Sequence, residues 1–459
     1  MQKIFISKRT ILPDGIKPSA IVVTNGKIKE IISLDSVEKI FEELKKYEGV
    51  TIEDFGNLVL MPGIVDSHVH VSEPGRTEWE GYWTATQAAA AGGVTTIVDM
   101  PLNASPPTTT VENLKLKVRE AQKKSFVDVA FWGGIVPDNQ NHLKALVNAG
   151  VVGFKSFLHP SGTDDFKHVS NDDVTKAVTA LEGCNVVLAF HAERECKAVL
   201  ENNEEDPYEY ATYLKTRPAH MEVDAISFVK DICSIYKCRC HIVHLSAKEG
   251  LNLVREAKNQ GLPLTVETCF HYLSLTAEQI PRGAVEYKCC PPIRDAHNKE
   301  KLWDALKDET LDMVVSDHSP CTADLKGDGN FLQAWGGVSS LQFGLSVLWT
   351  EARTRNFSFQ DIARVLCSSP AKMCGLDNVK GCLKVGVDAD FVVWNPEETI
   401  EIKKSGIFFK NKMSPYLNKE FYGKVYTTIV RGNVVYQDGK FSNKPLGKLL
   451  LPEEFLSTI

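Results

Sequence analysis

Between about Gly63 and about Cys374 the chain alternates short, strand-like apolar runs with segments of helical pattern, and this alternation constrains the fold more than any other feature. Eight candidate strands stand out: Ile64–Val69, Thr95–Met100, Val127–Trp132, Gly153–Leu158, Val186–His191, His241–Leu245, Leu264–Cys269 and Met313–Ser316. Stretches such as Val111–Lys124 and Ala247–Asn259 separate most of them with helix-like pattern or length. Strands alternating with helices predict a parallel sheet, because a parallel return needs a crossover. Eight such units close into a barrel of about 250 residues. A chain of 459 residues leaves room for one modest further domain.

Both ends supply β structure for that domain. Ala20–Thr24 and Ile28–Ile32 flank Asn25-Gly26, a hairpin signal because both turn residues need positive φ. Asp390–Trp394, Thr427–Val430 and Val434–Tyr436, the last followed by Asp438-Gly439, are strand-like near the other end. The predicted fold is α/β: a (β/α)8 TIM-type barrel over 61–375, with a small β-sandwich-like domain built from both termini, 1–60 plus 376–459.

Composition narrows the partners. Apolar residues make up 43% and charged residues 24%, an ordinary globular balance, and the net charge of -7 carries no long basic run. Nucleic acid and acidic membrane surfaces are therefore poor partners. The 12 cysteines form no regular framework and no C-x-x-C pair, which predicts reduced thiols in an intracellular, cytoplasmic setting. No signal peptide, membrane span or peroxisomal C-terminal tripeptide is read.

The chemistry sits at strand ends. The first strand closes on Asp66-Ser67-His68-Val69-His70, and side chains at i and i+2 of a strand share a face. His68 and His70 thus project together at the C-terminal end, where barrel active sites lie. A lone H-x-H is weak evidence, but other strand ends add His191, His244 and Asp317, all able to bind a divalent metal. On strand six, His241 and His244 are three apart, so alternation lets only one line the barrel; His244, nearer the end, is the candidate, and His241 is read as packed or surface. Lys155 lies inside the apolar run Val151–Leu158, where burying an ammonium without a partner is costly.

H-x-H, Lys, His, His and Asp on successive strand ends resemble the amidohydrolase superfamily, in particular its cyclic amidases: dihydroorotases, hydantoinases (dihydropyrimidinases) and allantoinases. The resemblance implies two divalent metal ions, zinc foremost, and a carbamate on Lys155, formed with CO2, that bridges them. It places His68 and His70 on one metal, His191 and His244 on the other, and Asp317 on the first as ligand and acid/base. It also implies a homotetramer.

The likeness is nearest to the allantoinases. Glu73-Pro74-Gly75-Arg76-Thr77-Glu78-Trp79-Glu80-Gly81 is similar to their E-P-G-R-T-x-W-E-G stretch, of which dihydroorotases share only E-P-G and which hydantoinases lack. Further similar segments are Met100–Asn103, Glu267–Leu273, Lys288–Arg294, Ser316–Cys321 and Trp335–Gly337. One departure is Cys290, where allantoinases commonly have Ser. The implied reaction is hydrolysis of the hydantoin ring of allantoin, a small-molecule substrate, to allantoate. Cys290, Ser319, Gly336 and Gly337 are candidates for holding the ring, since glycine lets backbone approach a ligand. Asn103 is a candidate for the ureido arm, with Arg76 equally readable as structural. Two rivals stay open: another ring hydrolase of hydantoinase type, and a non-catalytic scaffold relative. Cys238-Arg239-Cys240 lacks the spacing and the fourth ligand of a zinc site, Ser67 has no base, and Lys326-Gly327-Asp328-Gly329 lacks the Lys-Ser/Thr of a phosphate loop.

Overall fold

Valine- and isoleucine-rich runs, buried on both faces, form the inner ring of the molecule. The computed structural model describes residues 2–47, 49–195 and 205–459. The ring strands are β1 (Ile64–Val69), β2 (Val94–Asp99), β3 (Asp128–Phe131), β4 (Gly153–Phe157), β5 (Val187–His191), β6 (Arg239–Ile242), β7 (Leu264–Cys269) and β8 (Met313–Val315). Each expected run overlaps one of them, although β2 starts one residue before its run and β6 starts two residues before its run and ends at Ile242. Every neighbouring pair is parallel; β3 reaches β4 through Gly133-Gly134, which pairs with Phe154 and Lys155. A parallel bridge between Val69 and His318, with the His70 N–H donating to the His318 carbonyl at 2.9 Å, closes β8 onto β1. The (β/α)8 barrel is thus complete.

Helices on the outside cover the ring. In Val111–Ala121, Leu114, Val118 and Ala121 recur at helical spacing and are buried, each large aliphatic side chain contributing about 1.5–3 kcal/mol. Thr110 caps this helix by accepting from the Asn113 N–H. Helix Asn171–Ala180 starts in a capping box between Ser170 and Asp173. Tyr82–Ala91 presents Ala88, Ala89, Ala90 and Ala91 to the core, so it lies close against the barrel.

The termini meet in one nine-stranded sheet. Gln2–Leu12 pairs with Gly15–Thr24 and with Val59–Pro62, and Val59–Pro62 pairs with Phe391–Glu401 from the far end of the chain. Phe5, Ile21, Leu60, Phe391, Val393 and Ile429, from strands of both termini, share one apolar core, giving the sandwich-like second domain. Asn25 and Gly26 adopt φ of 52° and 81° in the expected hairpin. Two departures concern where this sheet ends. Met61 and Pro62 belong to it, pairing with Val392 and Phe391, two residues beyond the expected limit at 60. Residues from Gly447 leave it: the Gly447 N–H donates to Ser125 O and the Leu450 N–H to Val129 O, so the tail edges β3 of the barrel. Unpaired backbone groups at that rim recruit the tail.

Among the described residues no helix is long and apolar enough to cross a membrane. Eleven of the cysteines are free thiols, and Cys196 lies outside the described residues.

Candidate active site

The C-terminal ends of β1, β4, β5, β6 and β8 bring the six metal-ligand candidates into one cavity of about 330 Å³, which the five ring- and arm-binding candidates also line. His68 and His70 leave β1 on the same side, their ring centroids 5.4 Å apart. His68 Nε2 and His70 Nε2 lie 3.1 and 3.3 Å from the same oxygen, Asp317 Oδ1. The first contact lacks the angle of a hydrogen bond, so His68 Nε2 is a buried nitrogen without a hydrogen-bond partner among the described residues. On the other wall, His191 Nδ1 lies 3.0 Å from His244 Nε2, and Phe157 stacks on the His191 ring. Lys155 is buried, with no hydrogen-bonding or ion-pair partner among the described residues; its Nζ lies 5.2 Å from the centre of the Phe157 ring.

Carboxylates behind the histidines set their orientation. His68 Nδ1–H donates to Glu267 Oε1 at 2.5 Å, which leaves the Nε2 lone pair facing the cavity. His191 Nε2–H donates to Glu193 Oε2 at 2.6 Å and frees Nδ1 in the same way. Asn103 Nδ2–H donates to His70 Nδ1 at 3.3 Å and holds that ring in place. The backbone takes part as well. Asp317 and His244 sit at φ of 43° and 40°, left-handed values that are uncommon for residues with a Cβ and that cluster at functional sites.

Burial governs the charges. It holds His70 and His244 below the ordinary imidazole range and His191 down at about 4, so all three are neutral with lone pairs available. Burial also pulls the Lys155 ammonium down to about 8, so a fraction of it is free amine near neutrality. Burial opposes ionisation of Asp317 and Glu267 too, but neighbouring histidines outweigh it: Asp317 stays well below the usual carboxylate range and Glu267 falls to about 2. Glu193 reaches about 2 against the same opposition, through Arg217 and His191.

Some functional neighbours escaped the sequence reading. Glu267 lies within a segment used only for its likeness, and nothing local marks it as the partner of His68 across the barrel. Arg217 follows helix Tyr210–Lys215, away from any strand end, yet it lines the cavity and pairs with Glu193 at 2.5 Å. His241 is the packed histidine of the pair: it is fully buried outside the cavity lining, Nδ1 meeting Thr265 Oγ1 at 2.8 Å and Nε2 donating to Glu267 Oε2 at 3.0 Å. His244 lines the cavity from just beyond β6, which ends at Ile242, through a left-handed turn.

The segment after His70 is scaffolding. Glu73 accepts from the Tyr82 N–H at 2.9 Å, and a Cβ on Gly75 would run into the Ser105 carbonyl. Arg76 donates to Asn103 O at 3.2 Å and pairs with Asp165 at 3.0 Å, which is the structural role. Trp79 packs edge-on to Trp335, and Glu80 accepts from the Lys410 N–H at 3.1 Å. Gly336 and Gly337 are needed where they stand: a Cβ at Gly337 would strike the Ser319 carbonyl, and one at Gly336 would press on Cys290 Sγ at 3.3 Å.

Residues 59–435 match the model of the Amidohydrolase family. The chain is 47% identical to a mitochondrial allantoinase of Aquarana catesbeiana over 97% of its own length and 90% of that protein's. It is 45% identical to an allantoinase of Streptomyces avermitilis, over 97% and 98%. The chain belongs to the amidohydrolase family, among its allantoinases. The L-hydantoinase of Arthrobacter aurescens superposes with a TM-score of 0.91 at 28% identity, covering 98% of this chain and all of that one. Amidohydrolases are metal-dependent, and His68, His70 and Asp317 offer ligand atoms that all lie within 4.8 Å of one another. The donor set fits a cation: the neutral imidazole of His70, an ionised carboxylate, and a buried His68 Nε2 that has no hydrogen-bond partner among the described residues.

Proposed function

We propose that this protein hydrolyses the hydantoin ring of allantoin to allantoate at a binuclear metal site. The observation that carries the reading is the convergence of four histidines, Lys155 and Asp317 on one cavity, in a chain that shares almost its whole length with allantoinases. His68, His70 and Asp317 would hold one divalent cation, zinc foremost, and His191 and His244 the other, with Lys155 supplying a further ligand as a carbamate. Its neutral amine adds to the carbon of CO2 and loses a proton, which turns a buried cation into an anion and removes the cost of burying an ammonium. Bound metals would lower the pKa of water toward about 7 and polarise the ring carbonyl.

The chain's own groups do the rest. Asp317 stays ionised and accepts the proton of the attacking water, then returns it to the departing ring nitrogen. Glu267 and Glu193 keep His68 and His191 in the tautomer whose lone pair faces the cavity. Ser319, Cys290 and the backbone at Gly336 and Gly337 offer polar groups to the flat ring edge; Cys290 Sγ is itself held by the Tyr213 hydroxyl at 3.1 Å. The protein works as a homotetramer inside the cell in this reading.

The test is allantoate formation by purified, metal-loaded protein, run beside hydantoin, dihydrouracil and dihydroorotate. Preferred turnover of allantoin is expected. Preference for another ring would overturn the substrate and keep the hydrolase; no turnover with both metals bound would favour a scaffold.

A further inference from the structure

The cavity has two basic residues, Lys155 and Arg217, among its described lining residues. Lys155 is taken up by the metal site in the functional reading. Arg217 is not. Its backbone is held on both sides, the N–H donating to Leu214 O at 3.1 Å and the carbonyl accepting from Arg294 Nη2 at 3.3 Å. Its Nη1 donates to Glu193 Oε2 at 2.5 Å, a fully buried carboxylate, which fixes the plane of the guanidinium. The remaining donors meet no acceptor among the described residues, and the side chain keeps 17% exposure toward the cavity. A guanidinium carries five N–H donors and one of them is used among the described residues, so most of a planar fork is left for the substrate space.

We propose that Arg217 is a specificity-determining residue, whose free N–H groups donate to the carbonyl oxygen of the substrate's ureido arm. This rests on the allantoin reading. The Glu193 carboxylate already balances the charge of Arg217, so the pair suits a neutral carbonyl better than a carboxylate-bearing ring. Asn103, the other candidate for the arm, is engaged with His70. A ring without the arm leaves the fork unpaired, and a site built to hydrogen-bond a group discriminates against analogues that lack it.

The experiment compares kcat/KM for allantoin with kcat/KM for hydantoin, which has no arm, in wild type and in Arg217→Lys. Lysine keeps a cation for Glu193 and loses the planar fork. The selectivity ratio should fall about ten- to a hundredfold, the range of one charged hydrogen bond, with the change carried by KM for allantoin and with metal content per chain retained. Arg217→Gln is the second variant and should lower the ratio at least as far. A ratio within about twofold of wild type in both variants overturns the proposal. So does an equal fall for both substrates with loss of metal, which would make Arg217 only a support for His191 through Glu193. A wild type with no preference for allantoin overturns the functional reading and this inference together; a selective wild type with an unaltered ratio in the variants overturns the inference alone.

Discussion

Glu267 is the sharpest place to test how the metal histidines are supported. It is fully buried and takes three donors on two oxygens: His68 Nδ1 at 2.5 Å and the His244 N–H at 3.2 Å on Oε1, and His241 Nε2 at 3.0 Å on Oε2. Glu267→Gln keeps the shape and one acceptor. With the amide oxygen on the His68 side, the amide nitrogen faces His241, which can shift its proton to Nδ1 and donate to Thr265 Oγ1, 2.8 Å away. The fold should therefore survive. What is lost is the negative charge behind His68. A hydrogen bond to a charged group is worth about 1.5–3 kcal/mol and a neutral one about 0.5–1.5, so the difference is about 1–2 kcal/mol. That matches the roughly 10- to 100-fold loss of metal affinity typical when such an outer partner is removed. The assay is titration of the metal-free protein against a competing chelator, with circular dichroism to check the fold and allantoin turnover at limiting metal. Affinity equal to wild type in a folded variant would refute the argument that Glu267 orients His68 for a cation.

Three further outcomes are expected. Lys155→Ala should lose turnover and much of its bound metal, with partial recovery on adding short carboxylic acids; full activity and metal content in the unsupplemented variant would rule out the bridge. Asp317→Asn should fold normally and lose at least about a hundredfold in kcat, the low end for a general acid–base; near-normal rates would show that another group moves the proton. Lys288 is buried, and desolvation draws it from 10.5 down to about 8. Its folded pKa is depressed, so between about 8 and 10.5 the unfolded chain binds more protons and stability rises with pH. Wild type should therefore gain on Lys288→Met across that window, by at most about 3 kcal/mol, in denaturant unfolding measured against pH. Parallel curves for the two proteins would contradict it.

Much of this protein is decided by local pattern. Eight apolar runs of strand length, with helices between them, leave little choice but a parallel ring, and His68, His70, Lys155, His191 and Asp317 can be read because each closes or interrupts such a run. Asn25-Gly26 marks its hairpin because its turn needs positive φ at both positions. Other features depend on residues far apart in sequence, and only the closed structure decided them. Glu267 reaches His68 across the barrel interior, Arg217 arrives at the cavity from beyond a short helix, and the segment after Gly447 returns to edge β3. None of these leaves a periodic signal, since the partner lies on another element whose position is set by closure. His241 and His244 mark the boundary between the two kinds of information. Alternation holds while the backbone stays extended, and at His244 the tertiary structure imposes φ of 40°, so the rule ends where the site begins.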